Sequence, residues 1–299
     1  MKKKIFKEFF YNVIIFLLKF KFFKLISKYF LNAYLIDRGY SLDYGYLMGE
    51  NNENQLFKGE NIFLNKLDNL NIKNCVDIGA NIGEYTRKIL QNKNTKVIAF
   101  EPLPECCKSL LLIKEKYKQR FIFLEYALSN KKGTSDIFFS YEHSGFASLE
   151  TSINKIGYVK LHNTNKLKIK LERLDNFIDD VNFQNIDFIK IDTEGHEQKI
   201  LEGGLKFVNR HKVKLIQIEF NKHNLYTNST IFNFSEMLKD YVPTQLNLIN
   251  GQLRIIESDD YLSNIYQLSN FVFVENEYFK IPTYFVKVDG FYLWNNIMN

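Results

Sequence analysis

The chain lacks most of the residue patterns that announce a function by themselves. It has 3 cysteines in 299 residues, Cys75, Cys106 and the adjacent Cys107, too few for a disulfide framework and wrongly spaced for zinc. Reduced thiols in a cytoplasmic protein are the expectation. With 4 prolines and no repeat or low-complexity tract, no Pro-rich linker divides it. Its longest uninterrupted apolar run, Val13 to Leu18, falls far short of the roughly 20 residues that span a bilayer. Neither charge sign dominates: 40 Lys and Arg face 34 Asp and Glu, for a net charge of +6. The lysines are spread along the chain instead of gathered with aromatics on one stripe, so nucleic acid is not an expected partner.

What is present suits a globular chain. A hydrophobic fraction of 45% supports a sizeable core, and the length fits one large domain with an extension. Residues 1–59 differ from the rest. Lys2 to Lys4 precede an aromatic and aliphatic stretch, Ile5 to Leu35, interrupted by lysines. No small-residue cleavage site follows, so a signal peptide is not expected. Two readings stay open for residues 1–40: a basic amphipathic helix on a membrane surface, or helices packed on the domain or on a second copy of the chain. The expected place is the cytoplasm, with the inner membrane face as an option.

From residue 60 to 299 the pattern alternates. Strands are predicted at Asn74–Ile78, Lys96–Glu101, Ile122–Tyr126, Phe188–Asp192 and Lys214–Glu219. Helices are predicted near Asn61–Leu70, Glu84–Gln91, Glu105–Lys118, His196–Asn209 and Phe232–Leu238. This alternation is the signature of an α/β fold, a parallel sheet with helices on both faces. Asp136–Tyr141 and Leu167–Leu171 suggest an inserted antiparallel edge. Gln245–Ile249 and Leu253–Ile256, joined by Asn250-Gly251, read as a hairpin. With Asn270–Val274 they suggest an open sheet ending in an antiparallel strand.

The most informative residues are Val76 to Tyr85, VDIGANIGEY, a strand–turn–helix with Asp77, Gly79 and Gly83 at D-x-G-x-x-x-G spacing. Glycines let backbone N–H groups approach a ligand. The spacing is not that of a dinucleotide site, which argues against an NAD-dependent oxidoreductase. An acidic residue ahead of the turn suits a cationic ligand, and S-adenosylmethionine, with its sulfonium and ammonium groups, is one. Glu101 ends the second strand at about the interval, roughly 20 positions, at which an acidic residue binds ribose hydroxyls. Pro102 and Pro104 hold the loop after it. Tyr126-Ala127 stands where an adenine wall would lie, and Gly145 to Leu149, including Ser148, could close over the ligand. Asp192-Thr193-Glu194-Gly195-His196-Glu197 crowds three carboxylates and a histidine into one turn, which is costly unless they face water, a cation or a substrate. Glu219 ends the fifth strand as a further inward candidate.

VDIGANIGEY, FEPLP at Phe100–Pro104, EYALSN at Glu125–Asn130 and IKIDTEGHEQKILEGG at Ile189–Gly204 resemble the FkbM-type methyltransferase family over roughly Glu60 to Asn221. The resemblance implies the class I Rossmann-like seven-stranded sheet and S-adenosylmethionine as cofactor. It also implies O-methylation of a sugar or nucleotide-linked sugar for a bacterial surface glycan, capsule or lipopolysaccharide. Asp77, Gly79, Ala80, Asn81, Gly83, Glu84, Tyr85 and Thr86 would then lie on the methionine side, with Glu101 and Pro102 at the ribose. Tyr126, Ala127 and Ser148 would lie by the adenine and the closing loop. Asp192, Glu194, His196 and Glu219 are the catalytic candidates, with Asp192 also near the donor. A base or a metal near the acceptor oxygen would help a poor alcohol nucleophile; no ligand spacing demands a divalent metal. Rival readings are methylation of another small molecule or an amino group, and a non-catalytic membrane-surface or scaffold protein of the same fold.

Overall fold

A computed structural model describes residues 58–280, apart from 142, 143, 181, 183, 248–250, 265 and 267, together with 285–288 and 291–294. The basic aromatic extension up to residue 57, with both readings of it, lies outside the described residues, as does Asn250 of the hairpin turn.

In chain order, helix α1 (Lys58–Asn65) leads to β1 (Asn74–Ile78), α2 (Glu84–Ile89), β2 (Lys96–Phe100), α3 (Pro104–Tyr117) and β3 (Phe121–Leu124). After these come β4 (Ala127–Leu128), β5 (Gly133–Phe139), α4 (Gly157–His162), β6 (Asn165–Glu172), β7 (Phe188–Ile191), α5 (Glu197–Glu202), α6 (Leu205–His211) and β8 (Leu215–Phe220). The chain continues through α7 (Lys222–Thr227), α8 (Ile231–Met237), β9 (Tyr241–Leu246), β10 (Leu253–Ile255), β11 (Ser269–Glu275) and α9 (Asn276–Phe279). A separate hairpin, β12 (Phe285–Val288) and β13 (Phe291–Trp294), follows.

The main sheet runs β10-β9-β11-β8-β7-β1-β2-β3. From β3 to β8 it is parallel, and β11 runs antiparallel to both β8 and β9. This is the doubly wound class I methyltransferase sheet that the sequence implies, with β10 added as an antiparallel edge. The central strands are apolar throughout because both faces are covered. Alternation divides them: Val76, Ile78, Ile189, Ile191, Ile216 and Ile218 pack under Ile200, Leu201, Phe207 and Phe234. Cys75, Val97, Ala99, Phe188 and Leu215 pack on the other face under Phe63, Leu64, Ile89, Leu110 and Ile113. All three cysteines are free and buried.

Three elements differ from the sequence reading. The helix predicted over His196–Asn209 is two helices, broken at Gly203-Gly204. A Cβ at Gly203 would sit 2.0 Å from the Ser129 carbonyl oxygen, so the helix end presses on the loop after β4 at a point where only glycine fits. The antiparallel pair β5 and β6 forms its own three-stranded sheet with β4, not an edge of the main sheet. Its apolar face, with Ile137, Phe139, Ile169 and Leu171, buries against Leu103, Cys106 and Ala127. The antiparallel β11 lies inside the main sheet, between β8 and β9.

Candidate functional site

The chain leaves β1 toward β2 and β3 on one side, and returns through β7 to β8 on the other. The switch point therefore lies between β1 and β7, where doubly wound sheets bind ligands beyond the carboxyl ends of their strands. A pocket opens there. Its floor is Ile78, Gly79, Asn81 and the Asp192–Glu194 turn with His196, and its far end is Phe100, Glu101, Pro102 and Tyr126 to Leu128. Ile137 and the loop Ser144–Leu149 complete the wall. The small sheet that carries Ile137 thus roofs the site.

The floor depends on close backbone approach. Gly79 has φ +83°, and a Cβ there would lie 1.9 Å from the Asp192 carbonyl oxygen. The Asp192 N–H donates to the Ile78 carbonyl at 3.0 Å, so the ends of β1 and β7 are joined directly under the pocket. Glu101 is 5% exposed; its Oε2 accepts from the Asn81 N–H at 2.8 Å and its Oε1 from the Leu103 N–H at 2.9 Å. Burial pushes its pKa up to about 7 against these two hydrogen bonds. Asn81 is itself left-handed (φ 49°), and its Oδ1 accepts from Ser144 Oγ at 2.7 Å and Cys106 Sγ at 3.1 Å. The loop over the pocket is therefore tied to the glycine turn.

At the other end the 192–197 turn is heavily bonded. Glu197 is buried and faces inward: its Oε1 accepts from the Thr193 and Gly195 N–H groups and from Thr193 Oγ1, and its Oε2 from Asn224 Nδ2. Burial raises its pKa to about 7 in spite of these donors. Glu194 is left-handed (φ 55°); its Oε2 faces His223 Nδ1 and accepts from Asn221 Nδ2 at 3.4 Å. Ser148 Oγ donates to the Glu194 carbonyl at 2.7 Å. His196 lines the pocket, yet both ring nitrogens are engaged, Nδ1 with Glu150 Oε1 at 2.6 Å and Nε2 with Ser129 Oγ at 3.0 Å.

Behind the floor lies a buried polar layer. Asp77, Lys190 and Gln217 are side by side across three strands. Lys190 Nζ donates to Asp192 Oδ2 at 2.5 Å and sits 4.4 Å from the centre of the Tyr85 ring. Burial opposes its charge, but Asp192, Glu60, Asp77 and Glu219 outweigh burial and hold Lys190 protonated above its ordinary range. Partial burial would raise Asp192, but Lys190 reverses this and depresses it. Glu219 is pushed well up, first by burial and then by Asp192. Asp192, Glu194 and Glu219 each offer an oxygen, all within 4.8 Å of one another, the one such group among the described residues. They could hold a divalent cation if Lys190 released Asp192 and all three carboxyl groups were ionised.

Of the residues singled out from the sequence, the structure gathers Gly79, Asn81, Glu101, Pro102, Tyr126, Ala127, Ser148, Asp192, Glu194 and His196 around one pocket. It places Asp77, Ala80, Gly83, Glu84, Tyr85, Thr86 and Glu219 off the lining. Strand alternation is the reason for Asp77, which projects from the face opposite Ile78, where Thr86 Oγ1 donates to its Oδ2 at 2.6 Å. Gly83 instead lets α3 close in, since a Cβ there would meet Ile113 Cδ1 at 2.3 Å. Sequence reasoning missed Lys190, two positions before Asp192, and Glu150, Asn221 and His223, which meet the site only through the fold.

A hexuronic acid methyltransferase, AglP of Haloferax volcanii, is 30% identical over 127 residues, 42% of this chain. The match spans 48% of that relative, about half its length. Among solved structures, a precorrin-6y C5,15-methyltransferase of Geobacter metallireducens superposes with TM-score 0.34 at 13% identity, over 70% of this chain and 85% of that one. The M. capricolum TrmK complex with S-adenosyl-homocysteine gives TM-score 0.35 at 13% identity, over 71% and 67%. At such scores the fold rests on the strand order itself. Residues 77–242, more than half of the chain, match the Methyltransferase FkbM domain and contain the glycine turn, Glu101 and the whole 192–197 turn, so this protein belongs to the FkbM methyltransferase family.

Proposed function

We propose that the protein is an S-adenosylmethionine-dependent O-methyltransferase whose acceptor is a hydroxyl of a sugar or nucleotide-linked sugar. The observation that carries the cofactor is Glu101. Each of its oxygens already accepts one backbone N–H, which fixes the carboxylate in the pocket lining, and each oxygen has acceptor capacity left for one of two neighbouring hydroxyls. Phe100, Tyr126, Leu128 and Ile137 beside it supply apolar walls for a base, and the carboxylate-rich turn at the opposite end suits a cationic group. When bound, the cofactor supplies a methyl group already activated as a sulfonium.

The chain's own residues then have to orient the acceptor and take its proton. Asp192 is held by Lys190, burial and the Asp192 carboxylate push Glu219 up, and His196 has both nitrogens occupied. Glu194 lines the pocket and, among the described residues, no hydrogen bond engages its Oε1, so it is assigned as the base. The sugar acceptor draws on AglP, which acts on a hexuronic acid. A surface-glycan setting rests on family analogy. No helix among the described residues is long and apolar enough to cross a membrane.

Calorimetric titration with S-adenosylmethionine and with NAD, each with and without magnesium, tests the cofactor. Selective binding of the first leads to a screen of nucleotide sugars for methyl gain by mass spectrometry. Folded protein that binds neither would refute the proposal.

A further inference from the structure

We infer that His223, on the first turn of α7, is a positioning residue for the base: it holds the Glu194 carboxylate in the pocket wall. This rests on the methyl-transfer reading above. The two residues are far apart in sequence but share a contact in which His223 Nδ1 faces Glu194 Oε2. Opposite a carboxylate, Nδ1 carries the ring proton and donates it. His223 is 2% exposed, so this is a water-poor, charge-assisted contact, of the kind that holds a side chain in one rotamer.

Three further features support this geometry. Glu194 has a left-handed backbone (φ 55°), which a non-glycine residue keeps only when its surroundings enforce it. Gly195 (φ +97°) lets α7 come close, since a Cβ there would lie 3.2 Å from Thr227 Cγ2 and 3.4 Å from His223 Cβ. Finally, α7 is fixed at its start, where Asn221 accepts from the His223 N–H at 2.7 Å and the Asn221 N–H donates to Asn224 Oδ1 at 2.9 Å. From that anchor Asn224 holds Glu197 while His223 and Asn221 hold Glu194. One short helix thus clamps both glutamates of the turn. Glu197 is fully bonded and serves the backbone, whereas Glu194 keeps an oxygen for the acceptor. In the step it serves, the acceptor O–H gives its proton to Glu194, the oxygen forms the new C–O bond, and the C–S bond breaks to leave a neutral thioether.

The test compares His223→Leu with His223→Asn. Asparagine places an N–H donor the same two bonds from Cβ as Nδ1, whereas leucine fills space without donating. With methyl-labelled S-adenosylmethionine and the acceptor found in the nucleotide-sugar screen, leucine is expected to lower kcat about 100-fold, the scale of a misplaced base. KM and Kd for S-adenosylmethionine should stay within about twofold, and asparagine should restore kcat to within about tenfold. Crystal structures of both variants give a readout independent of turnover: the Glu194 carboxylate leaves the pocket wall with leucine and stays with asparagine. Should leucine fail to fold, His223→Met, which likewise fills space without an N–H donor, replaces it. A Glu194 that does not move, or equal loss of kcat in the leucine and asparagine variants, would overturn the assignment. Failure of the wild type to bind S-adenosylmethionine would count instead against methyl transfer, with the crystal structures still deciding the role of His223.

Discussion

Replacing Glu101 with Gln isolates the group on which the cofactor reading depends. The carboxylate holds two backbone N–H groups, and Gln has only one acceptor oxygen to offer them. Its NH2 must face the Asn81 or the Leu103 N–H, or turn away and leave one of them unpaired, at about 1–3 kcal/mol. That part is a stability term and should appear as a lower melting temperature in the free protein. The binding term is separate: a hydroxyl donating to a charged acceptor contributes about 1.5–3 kcal/mol, and one of two such bonds is lost while the other weakens. A net loss of about 3 kcal/mol corresponds to roughly a 100-fold rise in Kd for S-adenosylmethionine. Calorimetry also reads a second signature. Burial puts the Glu101 pKa at about 7, so the free site is partly protonated at neutral pH. Hydroxyl donors favour the ionised form, so binding near neutrality should release a fraction of a proton. The observed enthalpy would then vary with the ionisation enthalpy of the buffer in the wild type and not in the Gln variant. A Kd within about threefold of wild type, with no proton release in either protein, would refute the ribose assignment.

The same titrations govern stability. Glu101 and Glu197 both have folded pKa values near 7, above the usual 4.5. The folded state therefore binds more protons between those limits, and each group adds stability as pH falls from 7 toward 4.5. Melting temperature measured at constant ionic strength should rise over that interval; a steady fall would contradict the burial of both carboxylates. Gly79→Ala places a Cβ 1.9 Å from the Asp192 carbonyl oxygen at a left-handed position. Urea unfolding should show a loss above about 2 kcal/mol, together with loss of cofactor binding. Thr86→Val removes the hydroxyl that donates to Asp77 Oδ2, while Oδ1 has no partner. Unfolding free energy should drop by about 1–3 kcal/mol with Kd for S-adenosylmethionine nearly unchanged, because neither residue lines the pocket.

What the sequence revealed and what it concealed divide along a physical line. Strands β1, β2, β7 and β8 were legible because parallel strands covered on both faces are short unbroken apolar runs, and their acidic ends mark the carboxyl edge where ligands bind. The glycine turn was legible because a backbone approach such as that of Gly79 to Asp192 leaves few residue choices. Which side of the edge a residue faces was not. Asp77 and Ile78 are neighbours in sequence and project from opposite faces, and that parity is set by which helices cover each face. The small sheet over the pocket misled for a related reason: Asp136–Tyr141 and Leu167–Leu171 carry the alternation of any half-buried strand, and nothing local states which surface the apolar side will meet.

The supporting residues were the least legible, and the reason lies in how such a site is built. Glu194, His196 and Glu197 crowd into one turn and attract notice, but crowding says nothing of which carboxylate is spent on structure and which is free. That is decided by their partners: Lys190 two positions before Asp192, Glu150 and Ser129 around His196, Asn224 and His223 on α7. Lys190 engages Asp192, Glu150 and Ser129 engage His196, and Asn224 engages Glu197, whereas His223 holds Glu194 by a single oxygen. His196, the natural sequence candidate for a base, is the most fully satisfied of all, with a carboxylate on one nitrogen and a hydroxyl on the other. A charged side chain at a turn can act on a substrate only with the lone pairs its neighbours leave unused, and by that count the chemistry falls to Glu194.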